Sequence, residues 1–299
     1  MISVCIPVYN FNITALVNEL VKQCEQMNIP TEIIVIDDCS EEFKTDNQRV
    51  SKNVKYIDLP KNIGRAKIRN RFLEYANYQY LMFLDCDSLV VREDFLSKYL
   101  EVLKNEPNVI CGGRIYPDQS PGRNKMLSWK HGIYKESLPA EVRRLNPNKS
   151  FMTNNFVVAR TCLEKIKFDE RITKYGHEDT LFGYELAKSN IEITHIDNPV
   201  LNGDIETNEV FLQKTKYGVI NLVHILNFLE YDKDFIKNVN LLDYYYKTKT
   251  LRGVQYLIYK IFKKPIYYFL VKGFVSIKFF DFYKLGFFIE CKAQEGNKS

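Results

Sequence analysis

Within the first 115 residues, short apolar segments alternate with segments of helical periodicity, and few folds accommodate that alternation. It predicts an α/β sheet in which helices connect neighbouring strands and cover both faces. Several of the apolar segments contain hardly any polar position, as is typical of strands that are covered on both sides. We predict strands at residues 2–6, 32–36, 54–59, 80–84 and 109–111, and helices at residues 13–26, 65–76 and 93–105.

Two aspartates, Asp85 and Asp87, directly follow the predicted strand at residues 80–84. In an open α/β sheet the carboxyl ends of the strands border a crevice that binds ligands. Carboxylates this close repel each other unless a cation lies between them, and Mg²⁺ or Mn²⁺ bound in this way also binds phosphates. The pair therefore indicates a divalent cation site. By itself it fits equally well a turn that caps the next helix.

Three other predicted strands also end in polar segments, at residues 7–10, 37–40 and 60–64. Turns after strands are polar in most proteins, so one such segment carries little weight. In a parallel sheet, however, all four ends share one edge, and together they predict a single ligand site there.

The chain contains seven cysteines, an odd number, without a Cys-x-x-Cys pair. Cys5, Cys39, Cys86 and Cys111 fall in or beside predicted strands, so we expect reduced, mostly buried thiols and a cytosolic compartment. The first residues lead directly into a strand, and a secretory signal is therefore not expected. No apolar run reaches the length of about 18 residues that spans a bilayer.

Four motifs in this order resemble the nucleotide-sugar domain of family 2 glycosyltransferases of the GT-A type. They are IPVYN at residues 6–10, VIDDCS at 35–40, NIG at 62–64 with RN at 69–70, and FLDCD at 83–87. The resemblance covers about residues 1–115. It implies a GT-A type, Rossmann-like α/β fold with a central, mostly parallel sheet flanked by helices, and a nucleotide-sugar donor.

The resemblance also implies roles for the residues at the predicted sheet edge. The loop after the first strand would line the base pocket, and Asp38, with Asp37 beside it, would accept a hydrogen bond from a uracil-type ring. The start of the helix at residue 65 would bind the diphosphate, because helix N-termini and arginines suit phosphate. Taken without the resemblance, Arg69 fits an ordinary surface arginine equally well. The implied donor-binding residues are Pro7, Tyr9, Asn10, Asp37, Asp38, Asn62, Arg65, Arg69, Asp85 and Cys86.

Glu178 and Asp179 begin a further predicted helix. As acids in a first turn they suit the helix dipole without any chemistry. The resemblance implies instead that this Glu-Asp element contains the catalytic carboxylate. Because a nucleotide-sugar donor already carries a good leaving group, the reaction needs a base but no general acid, and one displacement inverts the anomeric centre. The implied roles are Asp179 as base, and Glu178, Asn154 and Asn155 as contacts to sugar or acceptor hydroxyls.

The implied metal ligands are Asp85 and Asp87, with Asp87 the firmer of the two. Many relatives complete this site with a histidine after an Asn-Pro-Val segment, whereas this chain has Asn202 at that place. An amide oxygen is a poorer ligand than imidazole for Mn²⁺ and an acceptable one for Mg²⁺. Either the metal is held more weakly or another residue substitutes. His195 is predicted to be structural.

Residues 112–150 are predicted to be irregular and to shape the sugar and acceptor pockets. They contain the single tryptophan, Trp129, which would either stack on a sugar face or anchor the loop. Arg143 and Arg144, in the same region, would either reach a phosphate or remain solvated.

The basic character of the chain lies in its tail. Residues 247–292 carry ten Lys or Arg against two acids, a balance of +8, whereas the whole chain carries +5. Thirteen Phe or Tyr residues are interspersed with them, and Val254, Leu257, Ile258, Ile261 and Phe262 share one helical face that ends at Pro265. This pattern predicts a helical extension lying on an anionic membrane, or else aromatic residues packed as ordinary core. No signature of a nucleic-acid-binding module is present.

These observations predict three segments: a nucleotide-sugar subdomain at residues 1–115, an acceptor and catalytic subdomain at 116–230, and a helical aromatic and basic extension at 231–299. The predicted protein is an inverting, metal-dependent glycosyltransferase that acts on a glycan or lipid-linked acceptor at the cytoplasmic face of the membrane. One rival is a nucleotidyltransferase, which would be expected to have a glycine-rich loop after the first strand. The other is a noncatalytic nucleotide-sugar-binding relative, which would be expected to lose the carboxylates.

Overall fold

The computed structural model describes residues 1–27, 29–50 and 54–296. The chain divides into two compact units. The predicted boundaries at residues 115 and 230 differ from this division, because residues 116–230 contribute to both units. The first unit comprises Met1–Pro117, Glu136–Thr173 and Glu178–Asp204, and the second comprises Asp118–Lys135, Lys174–His177 and Ile205–Ser299.

The strands agree closely with the sequence prediction in the first 115 residues, where the ends differ by at most two residues. The two-residue strands at Ser88–Leu89 and Arg114–Ile115 were not predicted. In chain order the strands are β1 Ile2–Val8, β2 Thr31–Asp37, β3 Val54–Asp58, β4 Tyr80–Leu84, β5 Ser88–Leu89, β6 Val109–Cys111, β7 Arg114–Ile115, β8 Asn155–Ala159, β9 Thr194–His195 and β10 Val200–Asn202.

Amphipathic segments form the predicted helices, although the second of them, predicted at residues 65–76, ends in a turn of 3₁₀ helix at Phe72–Glu74. In chain order the α-helices are α1 Thr14–Gln26, α2 Lys44–Gln48, α3 Arg65–Arg71, α4 Phe95–Leu103, α5 Met126–His131, α6 Ala140–Arg144, α7 Arg160–Lys165, α8 Glu178–Lys188, α9 Asn208–Phe228, α10 Lys233–Asn238, α11 Asn240–Lys247, α12 Arg252–Val271 and α13 Ile277–Gly296.

The main sheet of the first unit has the strand order β3-β2-β1-β4-β8-β6-β9 over the described residues. Strands β1 to β4 run parallel to one another, and β8 is antiparallel to both β4 and β6. Strands β4 and β8 are buried at every position, as their apolar sequences require. A mostly parallel sheet flanked by helices therefore positions the ends of β1, β2 and β4 along one edge.

A smaller sheet of the first unit lies beside Asp87 and was not predicted. Its order is β5-β10-β7, with Asn202 opposite Ser88 and Val200 opposite Arg114. The amide N–H of Gly203 also donates to the carbonyl of Asp87, at 2.8 Å. This sheet brings the residue after the acidic pair next to Asn202.

The second unit is helical over its described residues. Helices α9, α12 and α13 pack on one another around an apolar core of Leu127, Leu212, Tyr259, Leu270, Phe280 and Tyr283.

Residues 174–177 join this unit because the side-chain amide of Asn221 on α9 donates to the carbonyls of Lys174, Tyr175 and Gly176, at 2.7, 3.2 and 3.0 Å. Gly176 has φ +98, and a Cβ at this position would lie 3.0 Å from the Cα of Gly218.

The tail differs from the prediction at Pro265. Helix α12 continues through this proline instead of ending there. Pro265 is exposed, so water can satisfy the carbonyl that loses its partner in the preceding turn. The aromatic and apolar side chains of the tail divide between core and surface, and the membrane contact stays a prediction. Tyr259, Leu270, Phe280 and Phe288 are core residues, whereas the face of α12 that contains Leu257 and Ile261 is exposed.

Candidate functional site

The loops after β1 and β2 meet at the predicted edge of the sheet. Asn10 adopts a left-handed conformation with φ 48, and its amide N–H donates to Ser40 Oγ at 2.9 Å. Its side-chain oxygen accepts hydrogen bonds from the amides of Glu41 and Glu42, at 2.8 and 3.2 Å. Asn10 thus ties the two loops together and leaves Tyr9 exposed beside them, while Pro7 is half-buried within β1.

The two adjacent aspartates after β2 have different surroundings. Asp37 is fully buried and accepts hydrogen bonds from the amide of Ser40, at 2.6 Å, and from the hydroxyl of Tyr56. Asp38 accepts from the amides of Ile63 and Gly64, at 2.7 and 3.0 Å, and burial raises its pKa. Asp37 therefore shapes its own loop, and Asp38 holds the loop after β3, in which Asn62 is exposed.

Arg69 is a buried ion-pair partner, so the alternative of an ordinary surface arginine is wrong. Its side chain is 2% exposed, with Nη2 at 2.9 Å from Asp85 Oδ1 and Nη1 at 3.5 Å from Glu178 Oε1. Arg65, one turn earlier on α3, lies 3.6 Å from the same Glu178 oxygen but is half-exposed. A buried charge is tolerated when it is paired in this way. Arg69 thus connects the acidic pair after β4 with the acidic pair that begins α8.

Asp85 and Asp87 flank a second arginine that the sequence did not identify. Nη2 of Arg114 lies 3.3 Å from Asp87 Oδ1 and 4.0 Å from Asp85 Oδ2. The available signal was its position, three residues after the predicted strand at 109–111, on the same edge as the other loops. Between the aspartates, burial and the neighbouring carboxylates raise the pKa of the Cys86 thiol to about 12, so this thiol is neutral.

The predicted metal ligands all lie in the first unit. Asn202 lies on β10 opposite Ser88, the residue after Asp87, and its side-chain oxygen is buried without a hydrogen-bond partner among the described residues. An amide oxygen without a partner, taken together with two carboxylates, suits Mg²⁺ or Mn²⁺ with phosphate and water completing the shell. Within the described ranges, no three His, Cys, Asp or Glu side chains form a metal cluster. The donor set therefore fits a divalent cation that shares its coordination with substrate.

Glu178 and Asp179 occupy the first turn of α8. Glu178 is buried, at 5% exposure, against Arg65 and Arg69 of α3. Asp179 accepts hydrogen bonds from the backbone and hydroxyl of Thr180, at 2.7 and 3.3 Å. Burial, followed by repulsion from Glu178, raises the pKa of Asp179 to about 7. A carboxylate with a pKa near neutrality is well suited to accept a proton in catalysis.

The two adjacent asparagines at the start of β8 differ in their contacts. Asn154 is buried, and its side-chain nitrogen lacks a hydrogen-bond partner in the part of the chain that the structure describes. Such a donor is available to a ligand, as the predicted sugar contact requires.

Asn155 does not match its predicted role, because it is 0% exposed and engaged at both ends. It accepts from the Tyr99 hydroxyl at 2.6 Å and donates to the carbonyls of Gly113 and Asn198, at 3.0 and 2.8 Å. Asn155 therefore supports the loop that leads to Arg114.

Arg143 also supports this region instead of reaching a phosphate, and Nε of the exposed Arg144 donates to the carbonyl of His195 at 2.9 Å. Arg143 is buried, and its guanidinium donates to the carbonyls of Cys111, Gly112 and Ile196, at 3.1, 3.1 and 2.9 Å. His195 contacts Arg143 at 2.6 Å through Nδ1, and burial lowers its pKa to about 4, in keeping with a structural histidine. Trp129 is half-buried on α5 in the second unit, and its sugar contact stays a prediction.

Comparison with known proteins gives a consistent assignment. The model of glycosyl transferase family 2 matches residues 3–165. Chondroitin synthase from Escherichia coli is 29% identical over 225 residues, which cover 62% of this chain and 32% of that protein. The poly(ribitol-phosphate) beta-N-acetylglucosaminyltransferase from Staphylococcus aureus is 30% identical over 189 residues, covering 60% of this chain and 31% of the relative. The chain thus spans about a third of the length of these relatives.

A mannosyltransferase from Pyrobaculum calidifontis, solved in complex with GDP-Man and Mn²⁺, has a TM-score of 0.59 to this structure at 12% identity. The alignment covers 98% of this chain and 86% of that one, and the likeness shows a shared fold.

Proposed function

The chain belongs to glycosyl transferase family 2, has the GT-A type α/β fold expected from its sequence, and we propose that it is an inverting glycosyltransferase. In this proposal it transfers a sugar from a nucleoside-diphosphate donor to a glycan or lipid-linked acceptor during polysaccharide biosynthesis. The names of the relatives, a chondroitin synthase and a poly(ribitol-phosphate) glycosyltransferase, support that class of acceptor.

The observation that carries the proposal is the double contact of Arg69, at 2.9 Å from Asp85 and 3.5 Å from Glu178. Arg69 thus joins the end of β4 to the start of α8 through ion pairs, which supports assigning both to one site. A nucleotide sugar needs a cation-rich place for its diphosphate and a base for the attacking hydroxyl. The chain of contacts brings the residues for both tasks into the first unit.

The proposed reaction is a single displacement at the anomeric carbon. The acceptor oxygen forms a bond to that carbon from the face opposite the diphosphate, the bond to the diphosphate oxygen breaks, and Asp179 takes the acceptor proton. Glu178, held by the arginines of α3, would orient a hydroxyl, and the unpaired side-chain nitrogen of Asn154 would donate to the sugar.

Asp85, Asp87 and Asn202 would hold a divalent cation, Mg²⁺ or Mn²⁺. When bound, such a cation neutralises charge on the departing diphosphate. Arg65 and Arg69 add positive charge at the start of α3, where backbone N–H groups also favour phosphate. The exposed ring of Tyr9, with Pro7, Asn10, Asp37 and Asp38 in the loops around it, would receive the nucleobase, while Asn62 and Cys86 would line the rest of the donor pocket.

The proposal is tested by incubating the full chain with a panel of nucleotide sugars and glycan acceptors and measuring release of UDP or GDP. We expect acceptor-stimulated release with one donor, loss of release on chelation, and recovery when Mg²⁺ or Mn²⁺ is restored. Asp179→Asn serves as the matched control, because it preserves volume and removes the base. Release that needs neither acceptor nor Asp179 would contradict the assignment.

We also propose that the protein works at the cytoplasmic surface of an anionic membrane, bound through one face of α12. The exposed apolar residues of this α12 face are Val254, Leu257, Ile258, Ile261, Phe262, Tyr268 and Phe269.

Lys260 and Lys264 are exposed on the same helix, and Lys272 is exposed directly after it. Each basic residue near an anionic surface contributes about 1 kcal/mol. No helix in the described residues is both long enough and apolar enough to cross a bilayer. Apolar rings flanked by lysines are typical of helices that lie in the interface.

Flotation of the full chain with lipid vesicles tests this second proposal. We expect binding to vesicles that contain phosphatidylglycerol, and loss of binding when Leu257, Ile261 and Phe262 are replaced by serine. Replacing Val210, Tyr217 and Tyr244 by serine is the matched control, since these side chains are also exposed in the second unit. Equal flotation of the α12 variant and the wild type would refute the membrane contact.

A further inference from the structure

We propose that Arg114 is an internal cation of the metal site, which neutralises Asp85 and Asp87 in the metal-free protein and which a divalent cation must displace. This inference rests on the proposed metal site at Asp85, Asp87 and Asn202. It assigns to Arg114 control over how tightly that site binds metal, a property that the ligands alone do not determine.

The position of Arg114 is fixed by the small sheet. Arg114 lies on β7, which pairs in parallel with β10, the strand that ends at Asn202. From there its guanidinium reaches the acidic pair, at 3.3 Å from Asp87 Oδ1 and 4.0 Å from Asp85 Oδ2. With its side chain only 14% exposed, Arg114 interacts with the carboxylates where water screens little.

A divalent cation and this guanidinium would compete for the same carboxylate oxygen. Mg²⁺ binds carboxylate oxygens at about 2.0–2.1 Å. A cation at that distance from Asp87 Oδ1 would lie within a few ångströms of Arg114 Nη2, so a double and a single positive charge would face each other at close range. Metal binding is therefore favourable only when the guanidinium moves away or another anion joins the site.

The structure provides a second partner to which Arg114 can move. Its other terminal nitrogen, Nη1, lies 3.8 Å from Glu136 Oε2. The Tyr116 hydroxyl donates to that same oxygen at 2.6 Å and helps to hold the carboxylate in place. A short shift would thus exchange one ion pair for another instead of leaving a buried charge unpaired.

Arg114 is also incompletely satisfied where it lies. Its Nε is buried without a hydrogen-bond partner among the described residues. By contrast, Arg143, the neighbouring buried arginine, donates to four backbone carbonyls. A guanidinium with an unused donor breaks fewer hydrogen bonds when it moves. The geometry therefore favours Arg114 over Arg143 as the arginine that is displaced.

The inference is tested by titrating MnCl₂ into the full chain without nucleotide and measuring free Mn²⁺ by electron paramagnetic resonance. We expect Arg114→Met to bind Mn²⁺ at least about tenfold more tightly than the wild type, because the competing charge is gone. Glu136→Gln should bind more weakly than the wild type, because Arg114 loses its second partner. Arg71→Met, which removes an exposed arginine of the same unit, is the charge-matched control and should leave Mn²⁺ affinity unchanged.

Thermal unfolding gives a second measurement that does not depend on activity. Without metal, Arg114→Met leaves Asp85 and Asp87 without this cation, so it should unfold at a lower temperature than wild type, and added Mn²⁺ should stabilise it more than wild type. Arg114→Lys retains the charge and should be intermediate in both measurements. Unchanged or weaker Mn²⁺ binding by Arg114→Met would overturn the inference.

Asp87→Asn separates this inference from the proposed metal site. If Asp87→Asn abolishes Mn²⁺ binding and Arg114→Met leaves it unchanged, the metal site stands and the role of Arg114 is refuted. If adding Asp87→Asn to the Arg114→Met variant leaves its Mn²⁺ binding unchanged, both the metal site and the inference are refuted.

Discussion

Charged side chains are usually exposed and large apolar ones are usually buried, and each unit of this protein departs from one of these two rules. The first unit buries charges, with Arg69 at 1% exposure and Asp37 and Asp38 at 0% and 4%. The second unit exposes large apolar side chains, with Leu257 at 59% and Ile261 at 60%. Buried charges and exposed apolar patches are both costly and therefore point to function. The first arrangement fits the proposed site for a charged small molecule, and the second fits the proposed surface for an apolar partner.

The largest effect should come from replacing Asp179, the proposed base of the first unit. Asp179→Asn should lower the transfer rate by about 10²–10⁴-fold, because the variant lacks the base, while donor binding is retained. Rates with the donor identified in the panel and donor affinity by calorimetry measure the two effects separately. A variant that transfers at nearly the wild-type rate would exclude Asp179 as the base.

The same residue predicts a pH dependence. The folded pKa of Asp179 is raised from 3.8 to about 7, so the folded state disfavours its ionised form. The rate should therefore fall as the pH drops below about 7 and the base becomes protonated. Stability behaves in the opposite sense, since the contribution of this group is complete below pH 3.8 and is lost as the pH rises through 7. Asp179→Asn should consequently gain thermal stability relative to wild type at pH 8 and not at pH 4.

Breaking the buried ion pairs of the first unit should have the next largest effect. Arg69→Met leaves Asp85 and Glu178 without this partner, and breaking a buried pair costs about 3–5 kcal/mol. Arg71→Met, two residues along the same helix, removes an exposed pair with Glu74 and should cost at most about 1 kcal/mol. Urea unfolding at pH 7.5 measures both. Equal losses in the two variants would contradict the distinction between buried and surface charge.

Replacing Asn154 and Asn155, at the start of β8, should distinguish a residue that contacts ligand from one that supports the fold. Asn155→Ala removes partners from the Tyr99 hydroxyl and two backbone carbonyls and should cost about 1–3 kcal/mol of stability. Asn154→Ala removes a side chain whose nitrogen is unpaired within the described residues, so it should affect stability less and raise KM for the donor or acceptor. Urea unfolding and steady-state kinetics test the pair. If Asn155→Ala raised KM and Asn154→Ala lowered stability instead, Asn155 would be the residue that contacts the sugar.

Local pattern predicted the edge of the main sheet and the elements that form it, because apolar runs and helical periods are properties of neighbouring residues. These elements are β1 to β4, β6, α1, α3 and α4. The roles of the two asparagines did not follow. Asn154 and Asn155 are identical in type and adjacent in sequence, and only the packing of β8 between β4 and β6 decides which one faces the core.

Arg114 was missed for a related reason. Its contact with Asp87 depends on β5, β7 and β10, strands of two or three residues that carry little periodicity of their own. The burial of Arg69 likewise depends on Glu178, which lies more than a hundred residues later in the chain. Such pairings are decided by the tertiary fold, and the periodicity of neighbouring residues does not reveal them.

The smallest effect on stability should come from the α12 face, although its removal should abolish membrane binding. Replacing Leu257, Ile261 and Phe262 by serine changes side chains that are 50–60% exposed, so the free energy of unfolding should change by about 0.5 kcal/mol or less. Tyr259→Ser on the same helix is the control, because that ring is 1% exposed and its loss should destabilise by about 3–5 kcal/mol. A large loss in the triple variant would show that this face is covered within the protein. The exposed apolar side chains would then belong to its core, and the contrast between the two units would disappear.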